Sequence, residues 1–302
     1  MTSVLRAGRA VLASAVLATM SVACAACAAP RSPATARGSE PPLPSDAAMA
    51  SSFSHEPLDR VLARFVDERG RVDYAGLARE PAELDRYERM TAAASPDSDP
   101  ALFPTRDDEL AYWINAYNAA AIATVVRHYP IASVTDVRSP FPLSLFSDKI
   151  GFFVLQPVKL GGRSTNLHEL ENAIRSRYRE PRVHFALNCA SRGCPRLPRR
   201  AFEGRHLESR LDEEAQRFFA EDRNLAIDHA ARVVQLSAIL DWYEDDFTTW
   251  IAARRPGQGV GLLDYVALYA APERRGDVER ARGYRIRFVD YDWRLNDQAA
   301  IE

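Results

Sequence analysis

A long apolar helix is predicted near the middle of the chain, and the remaining elements have to pack around it. It covers residues 107–129: Asp107 and Asp108 stand where a helix N-terminus favours acids, and Pro130 ends the pattern. Its apolar positions recur at helical spacing and form a broad stripe of Leu110, Trp113, Ile114, Tyr117, Ala121, Ile122 and Val125. A stripe this wide predicts a helix buried on most sides.

Asn115 and Asn118 lie one turn apart inside this helix. A buried amide without hydrogen-bond partners costs on the order of 1–3 kcal/mol, so the pair predicts a polar network. Two interpretations stay open. The amides clamp a neighbouring loop, which is the commoner use of such residues, or they line a functional site.

The other patterns predict an α+β fold. Helical periodicity is found near residues 58–66 and at 81–94, 167–178, 205–220 and 262–270. Extended pieces are predicted at 182–188, 233–236 and 284–295, with a strand pair or hairpin over 149–160 turned at Gly161 and Gly162. Together they predict a single globular domain, 53–302, with several helices around a small sheet.

Composition narrows the class of protein. The 302 residues are 47% hydrophobic and 26% charged, as in an ordinary globular protein. The formal net charge is −2, and basic residues are interspersed with acids along the chain. Nucleic acid is therefore not an expected partner.

The N-terminus has the pattern of an export signal, predicted over residues 1–28. Arg6 and Arg9 precede an uncharged apolar run at 10–22 that is too short to span a bilayer. Either the signal is cleaved after residues 26–28, or Cys24 is the acylated residue of a lipoprotein, although Ser21 departs from the usual Leu. Residues 29–52, rich in Pro, Ser and Ala, are predicted to be a flexible linker. The protein is therefore expected to be exported, periplasmic or extracellular, with contact to a membrane only through a lipid on Cys24.

The segment 183–198 joins an apolar run to a loop rich in Gly and Pro, and it holds His184, Cys189 and Cys194. If residues 182–188 form a strand, His184 and Asn188 share one face and Cys189 lies on the other. His184 and Cys189 then meet only if the following loop turns Cys189 back.

Three hypotheses account for the two cysteines. A Cys189–Cys194 disulfide, the favoured one, contributes about 2 kcal/mol by loop entropy. Alternatively one thiol is a nucleophile, activated by His184 or Arg192. The third hypothesis, a zinc site with His184 and His206, has no clean second ligand pair, so no metal and no cofactor is expected.

Acidic residues next to aromatic ones mark two further positions. Asp241 and Asp245 lie among the aromatics of residues 240–250, where apolar surroundings raise a carboxyl pKa and suit a base or a group that orients a histidine. Helix capping and ion pairs are the commoner explanation for Asp241 and Asp245.

His168 and Glu171, three apart on one helix, are predicted to be a solvated surface pair.

Four motifs carry a resemblance to a known family. They are Tyr-Trp-Ile-Asn-Ala-Tyr-Asn-Ala at 112–119, His-Phe-Ala-Leu-Asn-Cys at 184–189 running to Cys-Pro at 194–195, Leu-Asp-Trp-Tyr at 240–243 with Asp-Phe at 246–247, and Tyr-Asp-Trp at 291–293 with Leu-Asn at 295–296. In this order, over about residues 71–296, they resemble the uncharacterised family catalogued as domain of unknown function 547. The resemblance implies that six residues share one neighbourhood: Asn115, Asn118, His184, Cys189, Asp241 and Asn296. It implies no activity.

The order of elements is also distantly similar to papain-like and transglutaminase-like thiol enzymes, which place the nucleophilic Cys at the start of the buried helix. Here that helix offers Asn115 and Asn118 and no Cys. Either Cys189 or Cys194 supplies the nucleophile, or the scaffold has no such chemistry.

Two functions are therefore expected, with an unknown envelope substrate or protein partner. The first is a hydrolase or acyl-transfer enzyme in which Cys189 is the nucleophile and His184 the general base. Asp241 or Asn296 orients His184, and Asn115 or Asn118 donates to an oxyanion. The second is a binding or scaffold domain with a structural disulfide and a buried polar network. A redox role is a third alternative, which requires an easily reduced disulfide.

Overall fold

The computed structural model describes residues 52–299, in which eleven α-helices surround two small β-sheets. The helices are α1 (Glu56–Phe65), α2 (Tyr74–Arg79), α3 (Ala82–Ala93), α4 (Arg106–His128), α5 (Ile150–Phe153), α6 (Leu167–Tyr178), α7 (Leu207–Ala220), α8 (Ala238–Trp242), α9 (Glu244–Arg254), α10 (Leu262–Tyr269) and α11 (Pro272–Arg280). The strands are β1 (Val158–Leu160), β2 (Arg163–Thr165), β3 (Leu225–Asp228), β4 (Val233–Leu236) and β5 (Arg285–Phe288). The predicted α+β class is confirmed, whereas the predicted export signal and Cys24 lie outside the described residues.

Helix α4 is the predicted central helix. Thr105 and Asp108 cap it reciprocally: the Thr105 hydroxyl accepts from the Asp108 amide at 3.1 Å, and the Asp108 carboxylate accepts from the Thr105 amide at 3.2 Å. Every residue from Leu110 to Val125 is buried. Helices α3, α6 and α7 pack against it, so α4 forms the centre of the larger of two hydrophobic cores.

The two sheets are small and lie late in the chain. Strands β1 and β2 form the predicted hairpin, turned at Gly161 and Gly162, whose φ angles of 53° and 77° favour glycine. Residues 150–153 before it are helix α5 rather than a strand. In the second sheet β4 pairs antiparallel with β3 and parallel with β5, and the predicted strand over 284–295 is limited to β5.

The segment expected to be a buried strand at 182–188 is instead a 3-10 helix, Pro181–Phe185. The Glu180 carboxylate accepts from the Arg182 amide at 3.0 Å, and the amides of Val183 and Ala186 donate to carbonyls three residues earlier. These local hydrogen bonds satisfy the buried backbone without a neighbouring strand. The turn lies between the two cores, with Val183 in the larger one and Phe185 in the smaller one.

The smaller core packs aromatic rings behind this turn. Phe185 lies 4.7 Å from Phe218 and 5.7 Å from Phe247, measured between ring centroids. Helices α7, α9 and α10 contribute most of the other side chains. Among residues 52–299, no helix combines the length and the apolar character needed to cross a membrane.

Candidate functional site

The loop after the 3-10 turn is closed by the two cysteines. Cys189 and Cys194 form a disulfide with their Cα atoms 6.3 Å apart. Cys194 is buried and Cys189 is half-buried. The amide of Cys189 also donates to Cys194 Sγ at 2.9 Å. The structure therefore places the two sulfurs as the favoured disulfide hypothesis predicts.

The Tyr291 hydroxyl lies against this disulfide. It is 3.1 Å from each sulfur, and it accepts from the Ser191 hydroxyl at 3.0 Å. Burial raises the pKa of Tyr291, which keeps the hydroxyl neutral. A Cβ on Gly193 would lie 2.8 Å from the Tyr291 ring, so only glycine lets the loop approach so closely. Tyr291 therefore forms one wall of the disulfide loop.

Asn118 and Asn188 hold the main chain on both sides of the disulfide. The Asn118 amide nitrogen donates to the Ala186 carbonyl at 2.9 Å, and its oxygen accepts from the Asn188 amide at 2.8 Å. The Asn188 side chain in turn donates to the Pro195 carbonyl at 2.8 Å and accepts from the Ala190 amide at 2.9 Å. The loop is thus fixed by two buried amides as well as by the covalent bond.

Asn115 and Asn296 have the same kind of role at neighbouring segments. Asn115 exchanges two hydrogen bonds with the main chain of Phe202, at 2.8 and 2.9 Å. Asn296 accepts from the Tyr74 hydroxyl at 2.8 Å through its side chain, and its own amide donates to the Ala190 carbonyl at 3.0 Å. The structure gives Asn115 and Asn118 the contacts of a clamp rather than those of oxyanion donors.

His184 belongs to a separate, charged cluster. Its Nε2 lies 2.8 Å from Asp246 Oδ2, to which Arg175 Nε also donates at 2.7 Å. The His184 ring stacks on Tyr243 with centroids 4.0 Å apart and planes at 20°. The Tyr243 hydroxyl donates to Glu171. The side chain of His184 is only 2% exposed, so the ring is enclosed by these partners.

The protonation states follow from this enclosure. Burial lowers the pKa of His184, and the Asp246 carboxylate offsets only part of the effect. Burial opposes the charge of Asp246, but hydrogen bonds from His184 and Arg175 outweigh it and lower its pKa to about 2. At neutral pH, His184 is therefore neutral and Asp246 ionised. Since a carboxylate only accepts, Nε2 carries the imidazole hydrogen.

The predicted neighbourhood therefore divides into two groups. One group lies at the disulfide loop, where the hydroxyl groups of Ser191 and Tyr291 contact Cys189 and where Asn118 and Asn296 bind the main chain. The described contacts of His184 are to other residues, Asp246, Tyr243 and Phe247. The carboxylate that binds His184 is Asp246 and not Asp241, which is half-buried on α8. The expected shared face of His184 and Asn188 is also absent, because the 3-10 turn replaces the strand.

The sequence patterns did not predict the contacts of several residues in the charged cluster. Glu171, predicted to pair with His168, accepts from Tyr243 instead, and His168 contacts Asn172 at 3.1 Å. A usable signal was the Glu171 and Arg175 pair at i,i+4, because one helical face presents both. Within residues 52–299 no three His, Cys, Asp or Glu side chains are grouped so as to hold a metal ion.

A cavity of about 650 Å³ opens beside the disulfide loop. Ser191, Gly193, Cys194 and Tyr291 contribute to its wall. Its charged lining consists of six arginines, Arg69, Arg71, Arg192, Arg196, Arg223 and Arg294, and four acids, Glu68, Glu221, Asp290 and Asp292. Positive charges exceed negative ones by two in this lining, and by one when Glu214, which pairs with Arg196 at 3.3 Å, is included, so the cavity keeps a small excess of positive charge.

One arginine connects the cavity directly to the disulfide loop. Arg223 donates to the carbonyls of Arg192 and Cys194 at 2.5 and 3.1 Å, and its Nε donates to Glu221 at 2.5 Å. Arg294 is paired with Asp292 through three contacts of 2.6 to 3.2 Å. The guanidinium groups of Arg223 and Arg294 are thus held by partners at the cavity wall, which reduces the entropy that these two side chains lose on binding a ligand.

Residues 102–219 match the model of a family described as protein of unknown function, DUF547. This match confirms the resemblance over the central helix and the disulfide loop. No curated protein matches the chain, and no solved structure does.

Proposed function

We propose that this chain, whose residues 102–219 match the DUF547 family model, is an exported binding domain that holds an anionic ligand in the arginine-lined cavity. The observation that carries the proposal is the cavity itself, lined by six arginines and four acids beside a loop that a disulfide and two buried amides fix. A carboxylate or phosphate group is the chemistry that guanidinium groups recognise best.

The alternative of a thiol enzyme has less geometric support. A general base has to reach the thiol, and His184 directs Nε2 to Asp246 while its ring is enclosed by Tyr243 and Phe247. His184 is neutral, as a general base has to be, but its ring is nearly inaccessible to solvent. These features favour a binding function over a Cys189–His184 dyad.

Calorimetric titration of the protein with citrate and with inorganic phosphate at low ionic strength tests the proposal. We expect saturable binding, weakened about fivefold in Arg294→Gln, which removes one exposed cavity cation that is paired with Asp292. Arg280→Gln is the matched control, because Arg280 is similarly exposed and also paired with an aspartate, Asp277, but does not line the cavity.

The outcomes separate clearly. Binding that weakens in Arg294→Gln and stays unchanged in Arg280→Gln supports the cavity as the site. Equal weakening in both variants would indicate a general effect of net charge, and a lack of saturable binding for both probes would contradict the proposal.

The hydroxyl groups beside the two sulfurs support a second function, that of a thiol-dependent enzyme. Both sulfurs lie within hydrogen-bond distance of the Tyr291 and Ser191 hydroxyls, which would stabilise a Cys189 thiolate if the disulfide were reduced. A screen of the reduced protein against activated ester and thioester substrates, with Cys189→Ala as the control, tests hydrolase or acyl-transfer activity. Turnover that disappears in Cys189→Ala would favour this function over the binding domain.

A further inference from the structure

The segment 141–155 displays apolar side chains to solvent to an unusual degree. Among residues 52–299, six of the eight exposed large hydrophobic side chains belong to it: Phe141, Leu143, Leu145, Phe146, Val154 and Leu155. Phe141, Leu145 and Phe146 are 79%, 73% and 69% exposed. Single exposed apolar residues are ordinary, but a group this dense marks a surface that contacts something else.

The base of the segment is firmly packed, so the exposure is a feature of the fold. Phe152 is fully buried, and a Cβ on Gly151 would lie 1.7 Å from the Val137 carbonyl oxygen. The Lys149 ammonium group lies 4.5 Å from the centroid of the Trp293 ring. The tip, which is the 3-10 turn Leu143–Leu145 with the residues on either side of it, carries the most exposed of these side chains.

The charges near the tip suit an anionic surface. Residues 138–155 contain two bases, Arg138 and Lys149, and one acid, Asp148. Asp148 is paired with Lys149 at 2.9 Å, and the Asp136 carboxylate before the segment accepts from the amides of Ala132 and Ser133 at 2.9 Å, so the exposed Arg138 is a cation beside the segment whose charge these contacts do not use. Apolar side chains flanked by cations are the combination that binds the surface of a bilayer containing anionic lipids.

We propose that segment 141–155 inserts its exposed apolar side chains into the surface of a lipid bilayer. The exposed phenylalanines and leucines are carried by the 3-10 turn Leu143–Leu145 and by the residues on either side of it. A bilayer needs no matching shape, because its acyl region accommodates any apolar projection. This inference goes beyond the anion cavity and does not depend on it.

The chain outside the described residues is consistent with such a surface. Residues 1–28 are the predicted export signal with the lipidation candidate Cys24, and residues 29–52 are the predicted linker. A lipid at Cys24 would keep the domain close to the bilayer, so that a weak insertion of the tip is sufficient.

A site-specific fluorescent label in the full chain tests the inference. An environment-sensitive fluorophore is attached to Leu145→Cys, in a chain with Cys24→Ser and Cys27→Ser so that the label is unique. The matched control carries the label at Leu268→Cys, which replaces an exposed leucine on α10. Phosphatidylcholine vesicles are added with and without phosphatidylglycerol.

We expect a blue shift of the label at position 145, larger with phosphatidylglycerol, and none at position 268. The double substitution Phe141→Ser and Phe146→Ser should weaken the apparent vesicle affinity at position 145 about tenfold or more. The pair Leu268→Ser and Phe288→Ser, which removes exposed apolar side chains elsewhere, should leave that affinity unchanged.

Three results would overturn the inference. No shift at position 145 would show that the tip stays in water, and equal shifts at both positions would show adsorption through another part of the chain. A shift that grows with protein concentration in the absence of vesicles would show that a second copy of the chain covers the tip.

Discussion

The disulfide loop and the His184 cluster use polar residues in opposite ways. Around the loop, buried amides bind main-chain groups: Asn118 and Asn188 hold the carbonyls and amides of residues 186 to 195. Around His184, side chains bind one another, and the Asp246 carboxylate accepts hydrogen bonds from both His184 and Arg175. The first arrangement fixes a backbone shape, and the second neutralises buried charges.

This difference explains why polar motifs that look like one catalytic centre in the sequence form two structures. A thiol dyad requires a base that faces the thiol, whereas each group here is satisfied within its own cluster. The loop then offers a rigid wall for the arginine-lined cavity, and the His184 cluster supports the turn behind it. The predictions below separate the two clusters.

The largest effect is expected from Asn118→Ala. The substitution leaves the Ala186 carbonyl and the Asn188 amide unpaired in a buried position and opens a cavity, so the free energy of unfolding should fall by about 4 kcal/mol. Urea denaturation measures it. The control Asn172→Ala removes an exposed amide and should change stability by less than about 0.5 kcal/mol. A comparable small loss in Asn118→Ala would contradict the clamp.

The next effect distinguishes Asp246 from Asp241. Asp246→Asn keeps the size of the side chain but removes the charge that serves His184 and Arg175, so stability should fall by about 2 kcal/mol. Asp241→Asn should change it by less than about 0.5 kcal/mol, because Asp241 is not the partner of His184. Denaturant midpoints of the two variants give the answer. Equal losses would mean that the charged cluster is assigned to the wrong carboxylate.

Replacing both Cys189 and Cys194 by serine should lower the free energy of unfolding by a similar amount, about 2 kcal/mol, because the loop entropy of a short disulfide is lost. The amides of Asn118 and Asn188 remain, so the double variant should stay folded and bind citrate within about twofold of the parent. Thermal unfolding and calorimetry measure the two quantities. Loss of citrate binding in a folded double variant would show that the amides alone do not maintain the cavity.

The last effect concerns pH, and it is absent at neutral pH, where the preceding effects are measured. His184 has a folded-state pKa below its ordinary value of 6.5, so the unfolded chain binds more protons and stability falls as the pH decreases below about 6.5. His55, whose pKa burial lowers to about 4, adds to the same window. Asp246, with a pKa of about 2, adds a further loss as the pH falls from about 4 towards 2. Each pKa unit corresponds to about 1.4 kcal/mol before solvent screening.

The pH dependence of unfolding in His184→Gln and His55→Gln separates these contributions. Each variant should reduce the loss of stability between about pH 6.5 and pH 4, and the NMR titration of His184 should give a pKa below 6.5. A His184 pKa above 6.5 would contradict its burial in the neutral form.

The sequence predicted the elements whose signals are local. The capped apolar stripe of α4 and the glycine turn between β1 and β2 are such signals, and both were confirmed. The strand expected at 182–188 was wrong, because alternating apolar residues suit a turn between two cores as well as a strand. Hydrophobic periodicity predicts that a side chain is buried, but it does not indicate in which of two cores the side chain lies.

The site was predicted in part for the same reason. That Asn115 and Asn118 need partners followed from their burial, and the clamp interpretation gave the role their contacts show. Asp246 could not be distinguished from Asp241, because the choice depends on where α8 ends and α9 begins, at Tyr243. The arginines of the cavity come from segments far apart in the chain and have no shared motif.

The most direct test of the separation between Cys189 and His184 is a thiol count on the folded protein. Alkylation with and without prior reduction, followed by peptide mapping, reports the state of Cys189 and Cys194, and the pH dependence of alkylation after reduction reports the thiolate. We predict no alkylation of either cysteine before reduction, and reactivity after reduction that is the same in His184→Gln. A free Cys189 that reacts below about pH 7 and loses this reactivity in His184→Gln would contradict the account and restore the dyad.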